Sequence, residues 1–226
     1  MADFLNNSNV AVAGRTNANR DLVTSPNYLR WLAQGKVFEA GFGVESTPAD
    51  SQAAIDDTLV TFALQAPSAD SPLVIPILLK LMMVADGGAL TRIDVAFTKP
   101  ASQCATALAL SGGRAMLGGS LPMYRTTAKS FTAQASALYG AATTFAITST
   151  ALVAADYISF HYDSYIDAAL TVMTQPPVKT FNFLLEGLPH ILTNGAAMLV
   201  YINTGTSDST WIPYMQWAEL TEDDLV

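Results

Sequence analysis

The forty residues from Phe181 to Leu220, FNFLLEGLPHILTNGAAMLVYINTGTSDSTWIPYMQWAEL, constrain the fold most tightly. Phe181, Phe183 and Leu185 alternate with Asn182 and Glu186, the period-2 pattern of a strand with one buried face. Asn194-Gly195 supplies the positive φ angles of a tight turn, so His190 to Leu192 and Ala196 to Ile202 are expected to form a hairpin. Gly205 to Thr210 is a polar loop. Beyond it, Trp211 to Leu220 sets Trp211, Met215 and Trp217 on one face and Ile212, Tyr214 and Leu220 on the other. A strand that is apolar on both faces must be covered on both. The stretch therefore predicts a packed all-β body, with one face left for a neighbouring copy.

The rest of the chain repeats this grammar. Val37 to Val44 places Phe38, Ala40, Phe42 and Val44 on one face, and Thr58 to Gln65 alternates as well. Leu73 to Val84 is a long apolar strand in which Pro76 marks an edge or a bulge. Asp86-Gly87-Gly88 turns the chain, and Thr91 to Thr98 alternates Ile93, Val95 and Phe97 against Arg92, Asp94 and Ala96. Thr143 to Val153 and Tyr157 to Tyr162 read as further strands. Ala101 to Leu110 and Asp163 to Met173 fit strand or helix, and Gln175-Pro176-Pro177 ends the latter. Ser111-Gly112-Gly113 and Gly118-Gly119 read as turns.

Helices are confined to connections. Ser25-Pro26 is an N-cap followed by proline at the first helical position, and Gly35 closes the helix, with Tyr28, Leu29 and Leu32 inward and Trp31 partly exposed. Ala128 to Tyr139 carries Phe131, Ala135 and Leu138 at helical spacing before Gly140. Residues 1–23, in which Arg15 and Arg20 balance Asp3 and Asp21, read as an extended N-terminal arm, and 24–226 as a single domain. The expected architecture is a jelly-roll β-sandwich of about eight strands.

Half of the residues are hydrophobic and only 13% are charged, against roughly 25% in an ordinary soluble domain, which predicts surface hidden in assembly. A net charge of -8 argues against phosphate binding, which needs clustered Lys and Arg. The single cysteine, Cys104, excludes an internal disulfide and a cysteine-based zinc cluster, and is expected to be an inert buried thiol. MADFLNNSNV has no basic segment leading an apolar one, Leu73 to Ala85 is too short to span a bilayer, and Ser130 to Ala155 is too rich in Ala, Thr and Ser. No transmembrane segment is expected.

The residues GLPHILTNGAAMLVYINTG, followed by STWIPYMQWAEL, resemble the final strands of single jelly-roll capsid proteins of icosahedral viruses. The resemblance implies a structural coat protein that self-assembles into a shell within a virion, with copies of itself and other virion proteins as partners. Coat proteins that package nucleic acid directly often carry a basic arm. This chain has none, which implies weak or absent genome contact. The alternative is a β-sandwich carbohydrate- or receptor-binding module using Trp211, Tyr214 and Trp217.

Reactive chemistry is sparse. His161 and His190, with Asp163 and Asp167, are the residue types of a metal site or a general base. Cupins, which are jelly-roll enzymes, hold their metal with a His-x-His pair, and neither histidine here has a second one two residues away. Both are expected to be hydrogen-bonded or packed strand histidines. Ser111-Gly112-Gly113 lacks the glycine that precedes a nucleophile elbow, and Gly112 to Ser120 lacks the Gly-Lys-Ser/Thr of a phosphate loop. Gly41-Phe42-Gly43 is a fragment of a dinucleotide fingerprint inside a strand. Asp56-Asp57 and Glu222 to Asp224 read as solvated acids. No catalytic, cofactor-binding or metal-ligating residue is assigned, no cofactor is expected, and the chain is not read as an enzyme.

Overall fold

A computed structural model describes residues 3–5, 11–13, 27–42, 48–52, 58–85, 90–104, 107–122, 132–140, 144–147, 152–166, 178–184, 190–204 and 209–225. In chain order the strands are β1 (Asp3–Leu5), β2 (Ala11–Ala13), β3 (Val37–Gly41), β4 (Ala49–Asp50), β5 (Leu59–Val60), β6 (Phe62–Gln65), β7 (Leu73–Ala85), β8 (Leu90–Thr98), β9 (Leu110–Ser111), β10 (Arg114–Ala115), β11 (Leu117–Pro122), β12 (Ser136–Tyr139), β13 (Phe145–Ile147), β14 (Tyr157–Ile166), β15 (Val178–Asn182), β16 (Ala197–Asn203) and β17 (Thr210–Leu220). The α-helix among the described residues is α1 (Asn27–Ala33). The molecule is mostly antiparallel β-sheet, as the alternating runs require.

Two large sheets face each other. One has the order β11-β3-β17-β7-β15, with β4 also on β17, and the other β10-β12-β6-β16-β8-β14. Their inner faces share a core in which Trp211, Met215 and Trp217 meet residues such as Phe62, Val95 and Phe97 from the opposite sheet. A three-stranded sheet, β5-β13-β9, supplies a second core on the outer face of the β16 sheet, where Val60 and Phe145 bury Ala96, Leu199 and Tyr201. That is why every residue of β16 is buried. On the outer face of the β17 sheet, α1 lays Trp31 over Val37, Ile75, Ala218 and Leu220.

Pro76 sits at a bulge, as its missing N–H requires. The β17–β7 register shifts there, opposite Gln216 and Trp217. Gly35 closes α1 at φ 71°, and the amides of Gly35 and Lys36 bond back to Leu32 and Trp31. Among the described residues, no helix is long and apolar enough to cross a membrane.

Several expectations need correction. Asn194 and Gly195 take positive φ, 48° and 76°, as a tight turn demands. The turn does not join a hairpin, however. Leu192 pairs with Val74 in one sheet while Ala197 begins β16 in the other, so the turn carries the chain between sheets. The loop at 67–69 fixes it there, through Gly195 N–H to Pro67 O and Asn194 N–H to Ala69 O. In α1, Tyr28 and Leu32 pack inward as expected, but Leu29 and Trp31 exchange places. Trp31 is buried and Leu29 is 50% exposed, because the sheet beneath the helix selects which side is covered.

The end of the expected helix 128–139 is β12, where Ala137 and Tyr139 are buried and continue an alternation that begins at Ala135 just before the strand. Ala101–Gln103 is one 3-10 turn. Gly118 and Gly119 lie within β11 rather than in a turn, in a strand whose register against β3 shifts between Leu117 and Leu121. Asp163 to Ile166 is strand. Within residues 1–23, read from sequence as an extended arm, β1 and β2 pair with each other. Arg15, Arg20, Asp21, Ser25, Pro26, Gly43, Val44, Asp56, Asp57, the turn 86–88, Phe131, Asp167, residues 168–173, Gln175 to Pro177, Leu185 and Glu186 lie outside the described residues.

Candidate functional site

Among the described residues, two surface sites combine polar side chains with an opening. The first lies where the two sheets end on the same side. β14 is the free edge of one sheet and β15 of the other. Beyond β15, the chain at 190–193 continues along β7, with reciprocal hydrogen bonds of 2.8 and 2.9 Å between Leu192 and Val74. Ser159 and His161 share one face of β14 because strand side chains repeat every two residues. His161 stands opposite Val95, a residue of the inter-sheet core.

The two histidines meet across this opening. Their Nε2 atoms are 3.3 Å apart, and Ser159 Oγ is 3.0 Å from the same Nε2 of His190. The His190 ring stacks on Phe97 at a centroid distance of 3.9 Å, and Phe183 meets His161 edge-on. Burial lowers the His190 pKa below 6.5, and the neighbouring His161 charge lowers it further. The histidines were legible as candidates, whereas Ser159 was not, since no spacing motif links it to His190, 31 residues on.

This arrangement is not a nucleophile relay. In a Ser–His–acid or Ser–His–His set the third group bonds the far nitrogen, whereas here Ser159 and His161 both address Nε2 of His190. Among the described residues there is no group of three or more His, Cys, Asp or Glu able to hold a metal. Asp167 and the side chain of Asp163 lie outside the described residues. Cys104 is half-buried rather than buried. Its thiol donates to Lys99 O at 3.6 Å, and burial followed by Asp156 raises its pKa, which disfavours thiolate.

No family model, curated protein or solved structure matches the chain.

The second place is the outer face of the β17 sheet beyond the reach of α1. Leu78, Lys80 and Met82 of β7, with Ile212 and Tyr214 of β17, line an open groove of about 430 Å³. Its wall is ordered by polar contacts. Tyr214 Oη donates to Glu39 Oε2 at 2.5 Å and accepts from Gln216 Nε2 at 2.6 Å. Burial, then the Glu39 acceptor, pushes the phenol pKa up to about 12, so Tyr214 stays neutral and donating. Trp211 and Trp217 point the other way and are fully buried, so the aromatic stacking surface of the alternative binding-module reading is not assembled.

Of the acids at 222–224, Glu222 and Asp223 are exposed and Asp224 is not idle. It pairs with Lys36, and its carbonyl accepts from Arg30 of α1 at 3.2 Å. Burial alone would raise its pKa. Hydrogen bonds from Lys36 and Thr221 outweigh that and hold it at about 2 against an ordinary 3.8. A depressed carboxylate stabilises the fold above its unfolded pKa and loses that effect as pH falls through the folded one. The contact between α1 and the 222–224 turn is therefore expected to weaken as pH falls from 3.8 towards about 2. Carboxyl NMR titration checks this, and Lys36→Ala should return Asp224 towards its ordinary value.

Proposed function

We propose that this chain is a jelly-roll structural protein that assembles with copies of itself into a closed shell, as the coat proteins of icosahedral viruses do. Sheet order carries the reading. Setting aside β1 and β2, the two-residue strands β4 and β5 and all strands within 99–156, and numbering β3, β6, β7, β8, β14, β15, β16 and β17 from one to eight, the sheets run 1-8-3-6 and 2-7-4-5. That is the order produced when a long antiparallel ribbon is rolled into two Greek keys. The remaining short strands come largely from 99–156, which extends both sheets and caps one of them.

The surface supports assembly. The groove at Leu78, Met82 and Ile212 leaves part of a central sheet uncovered, and Ile158 and Phe160 on the free edge strand β14 are 52% and 54% exposed. Apolar surface of this kind on a chain with so few charges is best covered by a neighbour. An excess of 19 acidic over 11 basic residues keeps nucleic acid a weak partner, so other virion proteins are the better candidates for contact inside a shell. The burial of Trp211 and Trp217 removes the stacking platform that a glycan-binding module would use.

Electron microscopy and sedimentation of the purified protein test the reading. Closed particles or capsomer rings are the expected result. Met82→Glu with Ile212→Glu should leave the fold intact and reduce particle yield at least tenfold. A protein that stays monomeric across concentration and salt would sink the reading.

A further inference from the structure

We propose that His161 and His190 hold one shared proton between them and so clasp the free edges of the two sheets, closed while one ring is neutral and opened when both are charged. The geometry carries this. The ring centroids are 5.6 Å apart and the Nε2 atoms 3.3 Å apart, so the centroid separation is nearly the nitrogen separation plus two ring radii. The rings therefore meet end-on along the Nε2–Nε2 line. That is the geometry of one N–H donating to one lone pair; a metal held between them would need lone pairs converging at an angle.

One positive charge suits the site. One ring donates its Nε2–H to the lone pair of the other, and the face of Phe97 lies against the His190 ring. Two charges do not suit it, because both Nε2 atoms would then carry protons directed at each other, and Ser159 Oγ lies within reach of the His190 proton alone.

Among the described residues, the charged groups nearby do not relieve that conflict. On β8, Arg92 and Asp94 bond each other at 2.8–2.9 Å and alternate away from Val95 and Phe97 onto the opposite face. On β15, Lys179 shares the inward alternation of Phe181 and Phe183 but lies four residues along the strand from Phe183. On β7 the pairing partner of the 190–193 segment is Val74, and Lys80 lies in the groove on the outer face. The side chains of Asp163 and Glu186 are outside the described residues. Ser159 adds a hydroxyl that either donates to a neutral His190 or accepts from a charged one.

Opening moves definable atoms. His161 belongs to the β14 edge, and His190 is two residues from Leu192, whose N–H bonds Val74 O at 2.8 Å. An imidazole freed from the pair regains an ordinary pKa near about 6.5. The open form thus binds the second proton more readily than the closed form. Stability of the clasp is complete above that value and is lost as pH falls towards the lowered pKa of His190.

The test uses the full chain, with imidazole-nitrogen NMR and amide hydrogen exchange between about pH 8 and about pH 5. The expected titration has two separated steps that belong to the pair. Exchange protection at Leu192, corrected for intrinsic rate, should fall about tenfold per pH unit below about 6.5. His161→Gln or His190→Gln should abolish that fall and leave protection at pH 8 within a few-fold of wild type. Two independent single-site titrations near about 6.5 would overturn the proposal. So would the same pH course of Leu192 protection in wild type and both variants. If neither variant folds, the wild-type titration decides alone.

Discussion

Trp217→Ala lowers the unfolding free energy by about 3–5 kcal/mol, read as a shift of the urea midpoint at constant slope. Trp217 is fully buried in a strand hydrogen-bonded on both sides, with its ring stacked on Phe38 at 6.1 Å. Core residues such as Met215 and Leu79 sit on the backbone of the same ladder, which cannot move in to fill the space the ring would vacate. A loss below about 1 kcal/mol would place the ring outside the core. Trp217→Phe separates two contributions. It keeps most of the apolar contact and removes only the indole N–H bond to Glu219, costing about 1–2 kcal/mol.

Glu219→Ala comes second, at about 3 kcal/mol, and for a different reason. Glu219 is 8% exposed, and among the described residues no Lys or Arg pairs with it. Its carboxylate is held by N–H donors instead. Gln134 N–H lies 2.9–3.0 Å from both oxygens, Ala135 N–H donates at 2.9 Å and Trp217 Nε1–H at 3.0 Å. Removing the acceptor leaves those donors without a partner, which costs more than the bonds contributed. Glu219→Gln keeps one carbonyl acceptor and should recover about half of the loss. Hydrogen exchange at 134 and 135 is the second readout. Unchanged protection there in Glu219→Ala would show that the carboxylate does not pin this segment.

Much of the sandwich can be read from alternation alone. β3, β8, β15 and β17 each show apolar residues on a two-residue period, and the face so marked is the buried one. β17 also announced that both its faces need cover, and both answers are visible: the inter-sheet core on one side, α1 and an open groove on the other. Where the pattern was ambiguous, the local residues do not hold the deciding information. A seven-residue helix such as α1 has apolar groups all round, so the sheet beneath it decides that Trp31 rather than Leu29 is covered. Ala-rich 128–139 satisfies two periods at once, and pairing of β12 with β6 decides between them. Asn194-Gly195 dictates backbone angles but not which sheet receives the next strand. The histidine pair is the extreme case, since sheet-edge geometry rather than sequence spacing brings the rings together.

The position of β17 carries a consequence for synthesis. The last long strand lies between β3 and β7 and makes ladders with both, so those two strands have no direct partner in each other. A nascent chain lacking residues 210–220 exposes two unsatisfied backbone rows and the apolar faces beside them. Such rows invite strand addition from other chains while translation proceeds at about 5–20 residues per second. Until β17 has emerged and closed the gap, β3 and β7 stay open to pairing with other chains.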